Sequence, residues 1–193
     1  IGVAKKRGII VYYKRILIRK KENMIIAIVC ADKNYAIGKN NDLLISIPDD
    51  LKKFSRLTSK STVIMGRKTY ESLPNAPLKN RTNLVISRSA NEENINLEQP
   101  MSMMTMEQIK AFLLGHRKKM KDLKDSDFED DLDNENTNLS KKRKNKNPEG
   151  KIFIIGGGEI YKELLPYCDM IYITKVFKAF DGADTFFPNI DNM

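Results

Sequence analysis

Histidine occurs once in this sequence, at His116, cysteine twice, at Cys30 and Cys168, and tryptophan not at all. A single histidine excludes a Ser-His-Asp triad built on any other and rules out a histidine-rich metal centre. His116 stands beside a basic run after a helical pattern, which predicts a solvated residue at a helix C-terminus. Two cysteines are too few for a disulfide framework and have no metal-ligand spacing, so both are expected as packed thiols in a reducing cytoplasm. No apolar run is long enough to span a membrane, and no repeat of solenoid type is visible. The N-terminal stretch sets basic residues around short apolar pieces, "RGIIVYY" and "RILIR". It lacks a continuous apolar h-region and a small-residue cleavage site, so it does not read as a secretory signal.

What is present is 193 residues, enough for one domain with a sizeable core. The formal charge is +9, but residues 1–23 hold eight basic side chains against Glu22 alone, which leaves only +2 on the rest. A nucleic-acid partner is therefore not expected for the core. The chain is expected to be a monomer. Met24 opens the first convincing strand. Residues 1–23 are accordingly expected to be a basic extension outside the fold, and residues 24–193 the domain.

Short runs rich in β-branched residues recur at 25–30 (IIAIVC), 62–65 (TVIM), 83–87 (NLVIS), 152–155 (IFII) and 170–174 (MIYIT). Continuous apolar strands suit a sheet covered on both faces. Helices are predicted near 48–58, 67–73, 105–114 and 158–165, the third opening with Thr105 and Gln108 at capping-box spacing. Strand and helix alternate, so the class is α/β. Residues 117–150 break the pattern with an acidic block, a basic block and few apolar residues. Such a segment buries too little surface to offset its ordering entropy and is expected to be a disordered insertion.

In "SIPDDLKKFSRLT" Pro48 suits a first helical position, and Asp49 and Asp50 fall in the first turn. At 3.6 residues per turn Asp49 shares a face with Lys52, Lys53 and Arg56, whereas Asp50 aligns with Phe54 and Leu57, flanked by Leu51. Asp50 thus points to the apolar side, where a carboxylate either gains protons more readily or meets a polar partner. Three strand-to-helix junctions could hold a ligand. "VIMGRKTYESL" offers Gly66 for close approach, with Arg67, Lys68 and Thr69 at a helix start that suits phosphate. "IFIIGGGEIYKELLP" brings Gly156, Gly157 and Gly158 before a helix, without the third glycine of the dinucleotide fingerprint. "NLVISRS" sets Ser87 beside Arg88, which suits a phosphate monoester or an ordinary turn.

These pieces, in this order, resemble dihydrofolate reductase of the bacterial type. The likeness runs from about Met24 onward, interrupted at 117–150, through "IAIVCADKNYAIGKNNDLL", "SIPDDLKKF", "VIMGRKTYESL", "PLKNRTNLVISR", "IIGGGEIYKELLP", "IYITKV" and "ADTFFP". It implies a predominantly parallel central sheet with flanking helices, the C-terminal antiparallel strands truncated. The implied reaction is NADPH-dependent reduction of dihydrofolate by hydride transfer to C6 and protonation of N5.

By the same resemblance Asp50 is the buried catalytic acid that holds the pteridine, bonded by Thr174 directly or through water. Ile28, Val29, Leu51, Phe54 and Ile155 form the apolar walls, with the carbonyls of Ile28 and Ile155 taking pteridine amino protons. Arg81 clamps the glutamate-tail carboxylate. For NADPH the resemblance assigns Gly66, Arg67, Lys68 and Thr69 to the phosphates and Ser87 and Arg88 to the adenosine 2′-phosphate. Gly156, Gly157, Gly158, Glu159, Ile160 and Tyr161 fall to the nicotinamide half and diphosphate, with a cis Gly156–Gly157 bond. Ile37 and Gly38 lie in the closing loop (36–44), steadied by Asp184. No metal is implied. Two departures are that Ile45 stands where the family usually has tryptophan, and that the sequence stops at "FPNIDNM" before the terminal hairpin, which is expected to leave an inner strand as an exposed edge. A second reading, a truncated remnant that at most binds folate or nucleotide, rests on that second departure.

Overall fold

A computed structural model describes residues 2–6, 9–18, 24–90, 99–122 and 151–191. Its strands are β1 (Gly2–Lys6), β2 (Ile9–Leu17), β3 (Ile25–Ala31), β4 (Ala36–Lys39), β5 (Asp42–Leu43), β6 (Thr62–Gly66), β7 (Thr82–Ile86), β8 (Met101–Met104), β9 (Ile152–Gly156), β10 (Met170–Val176) and β11 (Thr185–Phe186). The helices are α1 (Pro48–Thr58), α2 (Arg67–Ser72), α3 (Met106–Asp122) and α4 (Gly158–Leu164). Among the described residues the main sheet has eight strands in the order β1-β2-β10-β3-β9-β6-β7-β8. The six strands from β10 to β8 run parallel. A small antiparallel sheet, β11-β4-β5, stands apart.

The continuous apolar strands are explained by the two layers they bury. Ile25, Ala27 and Val29 face a layer closed by Ile109 and Leu113 of α3 and Leu164 of α4. Ile26 and Ile28 face the opposite layer, with Leu57 of α1 and Tyr70 of α2. This is the alternation a strand must show when both faces are covered. The capping box of α3 forms reciprocally, Thr105 N–H donating to Gln108 Oε1 at 2.7 Å and Gln108 N–H to Thr105 Oγ1 at 3.2 Å.

Four expectations are corrected. Residues 1–23 do not all lie outside the fold: β2 pairs antiparallel with the whole length of β10, from Leu17 opposite Met170 to Val11 opposite Val176, and β1 pairs with β2. The inner strand β10, expected to be left as an exposed edge, is therefore covered on that flank, and Val11 is buried there. Lys14 and Arg15 stay exposed on β2, so a strand that looks too basic for a core needs only part of its side chains to be apolar. Next, the segment expected to be disordered from residue 117 begins with ordered helix. α3 runs to Asp122, and the Arg117 guanidinium donates to Asp169, which is fully buried, at 3.1 Å and to the Tyr167 carbonyl. Asp169 in turn accepts from Ile25 N–H at 3.0 Å, tying α3 to β3. Residues 123–150 of that expectation lie outside the described residues. Finally, His116 is half-buried within α3, not solvated at its end.

Candidate active site

α1 begins at Pro48, whose missing N–H costs nothing there, and its next residues part as the helical period requires. Asp49 is exposed; Asp50 is half-buried and turned to the sheet. The Thr174 hydroxyl donates to Asp50 Oδ1 at 2.5 Å from β10. Burial pushes the Asp50 carboxyl above its usual range, partly offset by the Thr174 hydrogen bond and the Lys53 charge. Across the sheet Thr174 is aligned with Cys30 of β3, whose thiol is pushed up to about 12 by burial and by the Asp50 charge. That thiol is held neutral and inert. Lys53, placed by the sequence reading on the outer face of α1, acts on Asp50; its position three residues on was the available signal.

Around this acid the structure gathers most of the expected apolar wall. Ile28 and Ile155 are half-buried on the face of the sheet that α1 covers, Phe54 is half-buried on α1 and Leu51 is 43% exposed on the rim, whereas Val29 is buried on the opposite face of β3, in the layer closed by α3 and α4. The Ile28 carbonyl already accepts the Tyr161 hydroxyl at 2.6 Å and keeps its second lone pair. Arg81 lies over Phe54, with its guanidinium carbon 5.9 Å from the ring centroid, and donates to Ser55 carbonyl and hydroxyl oxygens at 3.2 Å each. Its buried Nε has no partner in the protein.

The glycine junctions form one continuous cradle, because β6 and β9 are neighbours in the sheet. A Cβ at Gly66 would meet Ile160 at 3.0 Å, one at Gly156 would meet the Thr69 hydroxyl oxygen at 3.3 Å, and one at Gly158 would meet the Phe186 carbonyl at 2.9 Å. Gly156 has φ +139, a conformation side chains rarely adopt, and the Gly156–Gly157 bond is cis. Neither α2 nor α4 has a side-chain cap at its N-terminus, so their first N–H groups lack a side-chain acceptor at these junctions, and Arg67, Lys68 and Thr69 open α2. Glu159 is exposed on α4. Tyr161 is buried, edge-on to Phe187, and burial pushes its hydroxyl far above the usual phenol range.

β7 ends next to β6, which sets buried Ser87 and exposed Arg88 along the same sheet edge. Ser89 N–H and hydroxyl both meet the Ser87 oxygen, at 3.2 and 3.0 Å. The 36–44 segment forms β4 and β5 around a turn at Asn40 and Asn41, both at positive φ. Asp184 accepts from Asn40 N–H at 2.8 Å and donates its own N–H to the Gly38 carbonyl, so the loop is pinned to β11. Ile37 packs on the core beneath it. Ile45 is half-buried between this loop and α1.

No helix among the described residues is long and apolar enough to cross a membrane. A family model for dihydrofolate reductase matches residues 24–121 and 113–193. The dihydrofolate reductase of Bacillus subtilis is 33% identical over 168 residues, spanning 87% of this chain and 77% of that protein. The bifunctional dihydrofolate reductase-thymidylate synthase 2 of Arabidopsis thaliana is 34% identical over 187 residues, 91% of this chain and 28% of that longer protein. A solved dihydrofolate reductase from Enterococcus faecalis, complexed with NADP(H) and RAB-propyl, superposes with TM-score 0.59 and 31% identity, covering 88% of this chain and 80% of its own.

Proposed function

Because this chain belongs to the dihydrofolate reductase family, we propose that it reduces 7,8-dihydrofolate to tetrahydrofolate with NADPH, and that Asp50 holds the pterin and the proton destined for N5. The observation that carries the assignment of Asp50 is its own setting: a carboxyl taken partly out of water, raised by burial, and aimed by the Thr174 hydroxyl. A carboxyl displaced upward keeps a larger protonated fraction near neutral pH, which a proton donor needs. Ile28, Leu51, Phe54 and Ile155 would shape the slot, with Val29 behind it on the far face of β3, and the Ile28 and Ile155 carbonyls would accept amino protons at its floor.

Arg81 fits the carboxylate tail of the substrate. Its Nε is buried without a partner and its fork is already steadied by Ser55, so a carboxylate would complete what the protein leaves open. The glycine junctions suit NADPH because they end the neighbouring strands β6 and β9 at the starts of α2 and α4, whose first N–H groups have no side-chain cap and favour an anion. Gly66, Arg67, Lys68 and Thr69 would take its phosphates, Ser87 and Arg88 the 2′-phosphate, and Gly156, Gly157, Gly158, Glu159, Ile160 and Tyr161 the nicotinamide half and diphosphate. Ile37 and Gly38 would close over it. When bound, NADPH supplies the hydride delivered to C6 of the pterin. The protein's part is to align the two rings, to exclude water with the 36–44 loop, and to keep the proton at Asp50.

A monomer and a cytoplasmic setting complete the proposal; size-exclusion chromatography with light scattering and cell fractionation test them. For the activity itself, purified protein is incubated with dihydrofolate and NADPH and the loss of reduced-nicotinamide absorbance is followed. Turnover that Asp50→Asn removes at neutral pH supports the reading. No turnover, with no thermal shift by NADPH, defeats it.

A further inference from the structure

The N-terminal hairpin reaches the site. In the register of β2 against β10, Tyr13 lies directly opposite Thr174, and Thr174 is in turn aligned with Cys30 on β3. Residues directly opposite one another in adjacent strands project from the same face. Tyr13, Thr174 and Cys30 therefore form a row across three strands on the face where α1 lies. Thr174 bonds Asp50, and the Lys53 ammonium stands 4.0 Å from the centroid of the Tyr13 ring. A ring face at that range attracts an ammonium, more strongly when water is partly excluded, as it is at half-buried Lys53.

We infer that Tyr13 is a positioning residue: its ring holds the Lys53 ammonium beside the Asp50 carboxylate, so that a strand outside the parallel core sets the charge felt by the catalytic acid. This deepens the reading of Asp50 given above and rests on it. Lysine has a long, flexible stem and three rotatable donors, so without an anchor its ammonium moves to water and its charge is screened from Asp50. The other groups around Asp50 do not duplicate this effect. From α1, Arg56 repels Lys53 and Asp49 is turned to solvent; from β3 comes the neutral Cys30 thiol; from β10 come the Thr174 hydroxyl and, one pleat along, Tyr172; Arg15 on β2 is exposed. Lys53 is thus the one cation whose charge acts on Asp50 among the described residues.

The test is a pH titration of the Asp50 carboxyl carbon by NMR in the full chain without ligands, the resonance assigned by its loss in Asp50→Asn. Tyr13→Ile keeps a strand-forming side chain but removes the ring. It is expected to raise the protonated fraction of Asp50 at neutral pH about two- to threefold. The alkaline fall of kcat/KM should move to higher pH with it. Tyr13→Phe, which keeps the ring, should titrate as the unaltered protein does. Lys53→Met, which leaves the strand untouched, should raise the fraction as well, and adding Tyr13→Ile to it should change nothing further. The inference is overturned by an unmoved titration in Tyr13→Ile, by an equal shift in Tyr13→Phe, or by additive shifts in the double variant. The carboxyl titrates whether or not the protein turns over dihydrofolate, so failure of the reductase assay and failure of this coupling are separate results.

Discussion

Replacing Asp50 by asparagine should make the protein more stable above pH 5 while removing its activity. Burial raises the Asp50 carboxyl from its ordinary value of 3.8, so the folded state binds more protons than the unfolded state just above that pH. Stability contributed by this group is fully present below 3.8 and is lost as pH rises through the folded-state value. The asparagine variant escapes that loss and can still accept the Thr174 hydrogen bond through its amide oxygen. Each pH unit of displacement corresponds to about 1.4 kcal/mol, but Asp50 keeps part of its surface in water, and screening holds the expected gain to about 1 kcal/mol. For a chain of this size that is a rise in Tm of roughly 2–4 °C. The assay is thermal unfolding of both proteins at intervals from pH 3.5 to pH 8, with NADPH oxidation measured alongside. The stability difference should open with rising pH and then level off, while turnover near pH 7 falls by about 10²- to 10⁴-fold. A variant less stable than its parent at pH 8, or a difference that widens toward low pH, would refute the argument that desolvation dominates at Asp50.

Arg117→Met should leave the buried Asp169 without its cationic partner, at a cost of about 3–5 kcal/mol in urea unfolding. Val11→Asp puts a carboxylate at a position only 4% exposed and should lower the urea midpoint by an amount equivalent to about 2–4 kcal/mol; an unchanged midpoint would mean that β2 contributes nothing to the folded sheet. Gly158→Ala drives a methyl against the Phe186 carbonyl and the Thr185 side chain and should weaken NADPH binding about tenfold or more in a fluorescence titration. Gly115→Ala, within α3 and with nothing inside 4 Å, should instead stabilise the protein by about 0.5–1 kcal/mol without altering NADPH affinity.

The inner strands and α1 were legible because burial on two faces leaves a physical trace, an unbroken apolar run, and because Pro48 marks a helix entrance. Asp50 could be singled out because its helical neighbours Phe54 and Leu57 are apolar. Lys53 was misplaced for a related reason: three residues on from Asp50 lies on the same side of a helix as four, and its long stem lets the charge go either way. β2 was hidden by Lys14 and Arg15, which tolerate strand geometry while facing water. β8, "MSMM", carries no β-branched residue and is set by pairing with β7. The extension of α3 past residue 114 depends on Arg117 meeting Asp169, a contact between residues 52 apart that no local pattern announces.

The slot that holds β10 has a further consequence. β2 and β3 are consecutive in the chain yet do not touch; β10 lies between them, antiparallel to one and parallel to the other. Residues 170–176 must therefore be threaded as a wedge between two segments made some 150 residues earlier. Closing so long a loop is entropically slow, and until it closes both flanking strands offer open edges to other chains. On the ribosome, β2 and β3 are made well before the strand that must join them. Refolding at high concentration should accordingly lose material to association before the amides of β10 gain protection from exchange.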